Sequence, residues 1–236
     1  MPVKKGDFIL LDYTGKVKET GKVFDTTIES VAKDEGLWRE GELYEPKLIV
    51  VGEGWMLKSL EEKLVGLKIN EKETVEIPPE LAFGNRDPSK VKMVPLRRLT
   101  ARDIRPTPGM RIEWDGRLAI VRTIGSGRVQ LDFNPPLAGK TLVYEVTVKK
   151  VLRRKLDKVK ALIHRRLPIV DIEKFQVKTT GNEVTIEIPE EAFYLEGLQL
   201  AKRGLFLDIQ KFFPKTSAVV FIEAFRKREA SEEKPQ

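Results

Sequence analysis

The chain has no cysteine and a single histidine, His164. The first absence removes disulfides, a thiol nucleophile and thiolate-bound zinc or iron–sulfur sites. The second leaves a Ser–His–Asp triad or a histidine–carboxylate metal cluster only His164 to use. That residue sits in RRKLDKVKALIHRR, among seven basic residues and one Asp, and reads as a solvated helix residue. Long apolar runs are also missing. LIVV at 48–51 and AVVFI at 218–222 are strand-sized, far short of a membrane span. The opening MPVKKGDFILLDYTG lacks the apolar length and small-residue cleavage site of a leader. A soluble, cytoplasmic protein that does not enter a membrane is therefore expected. Asn and Gln together number nine among 236 residues, whereas 33% are charged, a balance that thermophilic proteins favour.

What is present suffices for two or more compact domains, with 41% hydrophobic residues to build their cores. The net charge of +7 is unevenly spread. Residues 85–134 hold eleven Lys/Arg against five Asp/Glu, and 153–236 hold seventeen against thirteen. The remainder is mildly acidic, with fifteen against eighteen. In the first third, FILLDYTGKV, KVFDTT and PKLIVV read as strands, and WMLKSLEEKLVGL as a short helix closed by Gly66. ETVEIPP is a strand stopped by Pro78 and Pro79. Asn85 to Pro108 reads as a Pro- and Arg-rich linker. Asp115-Gly116 and Gly125-Ser126-Gly127 then mark the turns of a three-stranded meander, and TLVYEVTVKKVL returns as a long strand. The last third has an α-β-β-α-β order. Its helical stretch runs from Pro189 to Phe213, whole or divided near Gly204, and a charged tail follows Arg226.

Few residues announce chemistry. Gly52–Gly54 lacks the further glycine and the βαβ setting of a dinucleotide fingerprint, so it reads as a tight turn. Glu61-Glu62 and Glu190-Glu191 read as surface carboxylates. Tyr13, Phe24, Asp25, Met56, Leu57, Phe83 and Tyr144 lie where strands or the helix meet turns; taken singly, each apolar member reads as core.

Taken in order they carry a resemblance. LDYTGKV, ETGKVFDTT and VGEGWMLKSLEEKLVGLKINEKETVEIPPELAFGN resemble an FKBP-type peptidyl-prolyl cis-trans isomerase over residues 5–84, and LAGKTLVYEVTVKKV resembles that family's closing strand. The intervening segment, ending LDFNPPLAGK, is similar to the insert-in-flap domain of the long, SlyD-like branch. The extension beyond 152 is of the general kind that larger archaeal members carry. The resemblance implies an α+β fold: an antiparallel sheet curled around the short helix, a small all-β inserted domain and a C-terminal α+β domain. The expected boundaries are 1–85 with 135–152 for the isomerase unit, 86–134 for the insert and 153–236 for the C-terminal domain.

It also implies roles. Tyr13, Phe24 and Asp25 are expected to be catalytic, with Asp25 at the pocket rim against the Tyr13 hydroxyl. Ile49, Met56, Leu57, Leu60, Phe83 and Tyr144 are expected to line a proline pocket. Phe83 replaces a tyrosine of many relatives and so lacks the hydroxyl that would meet a substrate carbonyl. Leu60 replaces a tryptophan floor. Met93, Val94, Leu96 and Leu99 of the insert, beside Arg97 and Arg98, are expected to hold client polypeptide. The reaction needs no cofactor, and no metal is expected because the His- and Cys-rich tail of some relatives is absent. The implied partners are unfolded or partly folded chains bearing X–Pro bonds. The many apolar residues of the last long helix suggest a homodimer. A holdase without useful turnover is the alternative. Nucleic-acid association through the basic segments ranks last, since no stacking aromatics accompany the charges.

Overall fold

The computed structural model describes residues 2–226; the charged tail lies outside the described residues. Three sheets and three apolar clusters organise it. The first sheet is antiparallel, in the order β2 (Val23–Thr26), β1 (Phe8–Val17), β9 (Leu142–Leu152), β4 (Lys72–Ile77), and β3 (Lys47–Val50) pairs the start of β1. A short helix, α1 (Glu29–Asp34), follows β2; the sequence pattern did not mark it. Along β1, Ile9, Leu11 and Tyr13 point to one face. There they meet Leu60 and Leu64 of α2 (Lys58–Leu64), both fully buried. Each such leucine contributes about 1.5–3 kcal/mol by burial.

The other face is covered as well. Phe8, Leu48, Val50 and Leu152 belong to a second cluster, made with the last third of the chain. There, α4 (Lys155–Arg166) buries Val159, Leu162 and Ile163, and α5 (Leu198–Phe212) buries Leu198, Leu205 and Ile209. Phe8 meets Phe212 edge-on with ring centroids 5.0 Å apart. Strands such as FILL and LIVV are thus unbroken apolar runs because both faces of this end of the sheet are enclosed.

The last third carries its own sheet. β10 (Gln176–Thr180) and β11 (Glu183–Ile188) form a hairpin, and β12 (Ala218–Glu223) pairs in parallel with β11. A parallel neighbour requires a crossover, and α5 supplies it. The helix begins only at Leu198, after a left-handed Gly197, instead of at Pro189, and it passes Gly204 without a break. A Cβ at Gly204 would stand 2.8 Å from the Arg166 guanidinium. Glycine there admits Arg166, which bonds Asp208 at 2.8 Å.

The inserted sheet has four strands instead of the expected three, in the order β5 (Val91–Pro95), β8 (Arg128–Asp132), β7 (Arg117–Gly125), β6 (Arg111–Trp114). Half of the supposed linker is therefore structured: Val91–Pro95 pairs with β8, and Leu96–Thr100 forms a short helix, α3, capping the cluster. The turns fall where expected. Asp115 and Gly116 both have positive φ, as do Ser126 and Gly127, which is what tight hairpins require.

A buried carboxylate ties the insert's two connections together. Asp132 Oδ2 accepts from Arg86 at 2.7 Å and Arg122 at 2.9 Å, and Oδ1 accepts from the Asn134 amide side chain at 2.8 Å. Asn134 in turn bonds both the backbone N–H and the carbonyl of Asp87, each at 2.9 Å. Bonds from Asn134 and Arg122, with the charge of Arg86, outweigh burial and hold the Asp132 carboxyl down at about 2. The LDFN stretch is thus the clasp at the neck of the insert.

Candidate active site

Strand register assembles the site. Gly15 pairs Asp25 of β2 on one side and Tyr144 of β9 on the other. Directly opposed residues share a face, and Tyr13 lies two residues away on that face. The β1–β2 register slips at Gly15/Lys16, where Lys16 pairs Val23, so Phe24 is the extra residue of a bulge. A bulge re-aims a side chain, which lets consecutive residues Phe24 and Asp25 serve one site. Gly15 makes room for them: a Cβ there would stand 2.7 Å from Phe24 Cζ and 2.9 Å from Tyr144 Cε1.

The rings form a corner. Phe24 meets Tyr144 edge-on at 5.7 Å, and Tyr13 and Tyr144 are 6.1 Å apart. The Tyr13 hydroxyl donates to Asp25 Oδ2 at 2.7 Å, and Lys47 Nζ donates to the same hydroxyl at 3.4 Å. Burial, then the hydrogen bond to Asp25, pushes the Tyr13 phenol far above its ordinary range, and burial with the charge of Asp25 pushes Tyr144 up to about 12. Both phenols are therefore neutral throughout the physiological range. Ile49 and Leu60 are buried in the same cluster, with Met56, Leu57 and Phe24 packed against it. Phe83 stands outside it, 42% exposed, while its neighbour Ala82 makes the contact. Asp25 and Phe24 also border a recess of about 160 Å³ with Glu42 and Tyr44.

Glu61 is a correction to the surface reading of that carboxylate pair. It is 2% exposed and accepts three backbone N–H groups: Gly52 at 2.7 Å, Gly54 at 3.1 Å and Met56 at 2.8 Å. Gly52 and Gly54 have positive φ, so the loop curls around this one carboxylate and delivers Met56 and Leu57 to the site. The signal was the spacing: Leu57, Glu61 and Leu64 lie on one helical stripe, which puts the glutamate on the apolar side.

His164 also departs from its expected setting. It is partly buried, and its Nε2 meets Glu45 of the segment before β3, so it joins the first third of the chain to α4. Of the four insert residues expected to hold clients, Val94 and Leu99 are buried in the insert's own core and Leu96 packs against it. Those three are occupied by folding; Met93 is 53% exposed. Among the described residues no three His, Asp or Glu side chains converge as metal ligands, and no helix is long and apolar enough to cross a membrane.

A sheet packed on a short helix thus brings together an aromatic corner, an apolar floor and the Asp25 carboxylate. A family model described as FKBP-type peptidyl-prolyl cis-trans isomerase matches residues 1–149, and a second, described as FKBP26_C-terminal, matches 155–226. The chain is 38% identical over 149 residues to the short-type peptidyl-prolyl cis-trans isomerase of Methanocaldococcus jannaschii, covering 63% of this chain and 94% of that one. It is 32% identical over 108 residues to a probable FKBP-type 16 kDa peptidyl-prolyl cis-trans isomerase of Pseudomonas fluorescens, covering 44% and 71%. It is 29% identical over 153 residues to the FKBP-type isomerase SlyD of Aeromonas hydrophila, covering 64% and 65%. The chain belongs to the family of FKBP-type peptidyl-prolyl cis-trans isomerases, with a C-terminal extension beyond the isomerase domain.

Proposed function

We propose that the Tyr13–Phe24–Asp25 corner seats the prolyl ring and accelerates rotation about the X–Pro bond. The observation that carries this reading is the Tyr13–Asp25 hydrogen bond at the edge of an otherwise apolar cluster. Rotation must break amide resonance, a barrier of about 18–20 kcal/mol. Water bonded to the amide oxygen supports the planar, polar form. An apolar wall made by Phe24, Met56, Leu57, Leu60, Ile49 and Tyr144 removes that support and favours the twisted, less polar state. Binding the twisted amide better than either planar isomer lowers the barrier, with no bond to the protein and no cofactor. Asp25 fixes the Tyr13 hydroxyl and supplies a carboxylate at the rim, with Lys47 on the same hydroxyl. Phe83, on its exposed loop, is placed to close over a bound chain.

The insert serves as the client-capture arm, giving the chain chaperone activity. Its support is the exposed apolar surface of Met93 and Leu118, the latter 77% exposed, on a strongly basic segment. Capture there raises the local concentration of proline segments at the site. The working units are 1–85 with 135–152, 86–134 and 153–236, and the chain acts in the cytoplasm. The last unit forms a homodimer: Leu200, Leu207 and Tyr194 are exposed, and β12 is an edge strand.

Proline-limited refolding of a cysteine-free client tests the whole reading. The full chain should accelerate it, Asp25→Leu should lose the acceleration, and deletion of 86–133 should lose it for the client but keep it for a short X–Pro peptide. Suppressed aggregation without acceleration by the full chain would leave a holdase on an isomerase fold.

A further inference from the structure

One well-formed cleft lies away from the aromatic corner. It measures about 470 Å³ and lies between the segment 41–49 and α4, walled by Leu43, Pro46, Leu48, Trp55 and Ile169. Two of these apolar side chains are open to solvent, Leu43 at 45% and Ile169 at 68%. Most of the charges around the cleft are already engaged. Glu45 meets His164, Lys47 reaches the Tyr13 hydroxyl, and Glu42 lies 3.5 Å from the Tyr44 hydroxyl.

Arg165 is different. Its guanidinium carbon lies in the wall, 4.0 Å from the centre of the Trp55 ring, and no carboxylate comes within ion-pairing distance of it among the described residues. Arg165 is exposed to solvent at its outer side, and partial desolvation, then the adjacent Arg166, lowers its pKa against the opposing charge of Asp208. An arginine held by stacking is pre-organised for a carboxylate.

The cleft and the corner share residues. Glu42 borders both the cleft and the recess beside Phe24 and Asp25. Lys47 borders the cleft while touching Tyr13, and Ile49 belongs to both the cleft wall and the corner's core.

We infer that this cleft is a second substrate subsite: it takes an apolar side chain of the client polypeptide, displaced along the chain from the proline, together with a neighbouring acidic residue that pairs with Arg165. This rests on the prolyl reading of the corner and adds to it a preference for acidic clients that comes from the C-terminal unit, not from the insert. Every long client then touches both units at once, and short proline peptides touch only the first.

The test uses fluorescein-labelled, C-terminally amidated peptides that contain one proline and a Phe-Glu pair at increasing spacing from it, with Phe-Gln counterparts, titrated against the full chain. At one range of spacings Phe-Glu should bind about tenfold tighter than Phe-Gln, as expected for one charge-assisted pair. Arg165→Gln should abolish that difference, and Ile169→Glu, at an exposed position, should reduce it. Both variants should turn over a short X–Pro tetrapeptide like the parent. Equal binding of the two peptides at every spacing, or an equal loss of both in Arg165→Gln, would overturn the subsite. A Glu preference that depends on Arg165, in a chain that does not turn over the tetrapeptide, would keep the cleft and remove the prolyl reading of the corner.

Discussion

Gly15→Ala isolates the geometry of the corner with one methyl group. The new Cβ would stand 2.7 Å from Phe24 Cζ, 2.9 Å from Tyr144 Cε1 and 3.0 Å from Phe24 Cε2. Ordinary contact needs about 3.5–4.0 Å, so both rings must retreat by close to an ångström. Tyr144 has no easy retreat, since it is 6% exposed and packs on Tyr13. Overpacking of this kind costs about 1–3 kcal/mol of stability. A displacement of about 1 Å in a positioned group lowers turnover by about a hundredfold. Urea unfolding and isomerisation of a short X–Pro peptide measure the two effects. Gly125→Ala is the control, at the end of β7 with nothing within 4 Å of the added atom and without a positive φ. Removing backbone freedom there should leave activity intact and change stability by well under about 1 kcal/mol. If Gly15→Ala behaves like Gly125→Ala on both counts, the corner is not the site.

Glu61→Gln should lower stability by about 1–3 kcal/mol, because three backbone donors lose a charged acceptor, and it should raise KM more than it lowers kcat as the loop carrying Met56 loosens. Asp132→Asn should destabilise the insert, read by hydrogen exchange of β5–β8, while leaving turnover of a short peptide near the parent value. Its acid profile should change too. Because the folded-state carboxyl sits near 2, below its unfolded value of about 3.9, the parent's contribution is complete above pH 4 and fades as the pH falls towards 2. The Asn variant should lack that fade, and an unaltered profile would show that Asp132 does not anchor the neck. Phe8→Ala should cost about 3–5 kcal/mol and loosen the C-terminal unit from the sheet, seen as faster exchange in α5.

The isomerase sheet was legible because ETVEI and LVYEVTV alternate and its turns carry glycine. The corner was legible only as an ordered set of motifs, since Tyr13, Phe24 and Tyr144 taken singly look like core, and core is where they sit. Phe24 and Asp25 could not both be assigned to one face from a period of two; the bulge that allows it is a property of pairing. Val91–Pro95 was hidden as a strand by Lys92 and by the proline that ends it, although Val94 and Leu99 close the insert's core. His164 was missed because its partner Glu45 is far away in sequence, whereas Glu61 bonds the nearby loop from Gly52 to Met56 and was missed because a Glu-Glu pair reads as solvated. The unbroken run LIVV did hold a message. An antiparallel strand without alternation is covered on both faces, and the cover is the C-terminal third.

The central claim is that Asp25, through the Tyr13 hydroxyl, belongs to a working prolyl site. Exchange NMR on a short X–Pro peptide with the full chain and its Asp25→Leu variant, folding checked by circular dichroism, tests it most directly. Loss of one charge-assisted hydrogen bond of about 1.5–3 kcal/mol predicts a fall in kcat/KM of about ten- to a hundredfold in a folded variant. Undiminished catalysis by that folded variant would contradict the account.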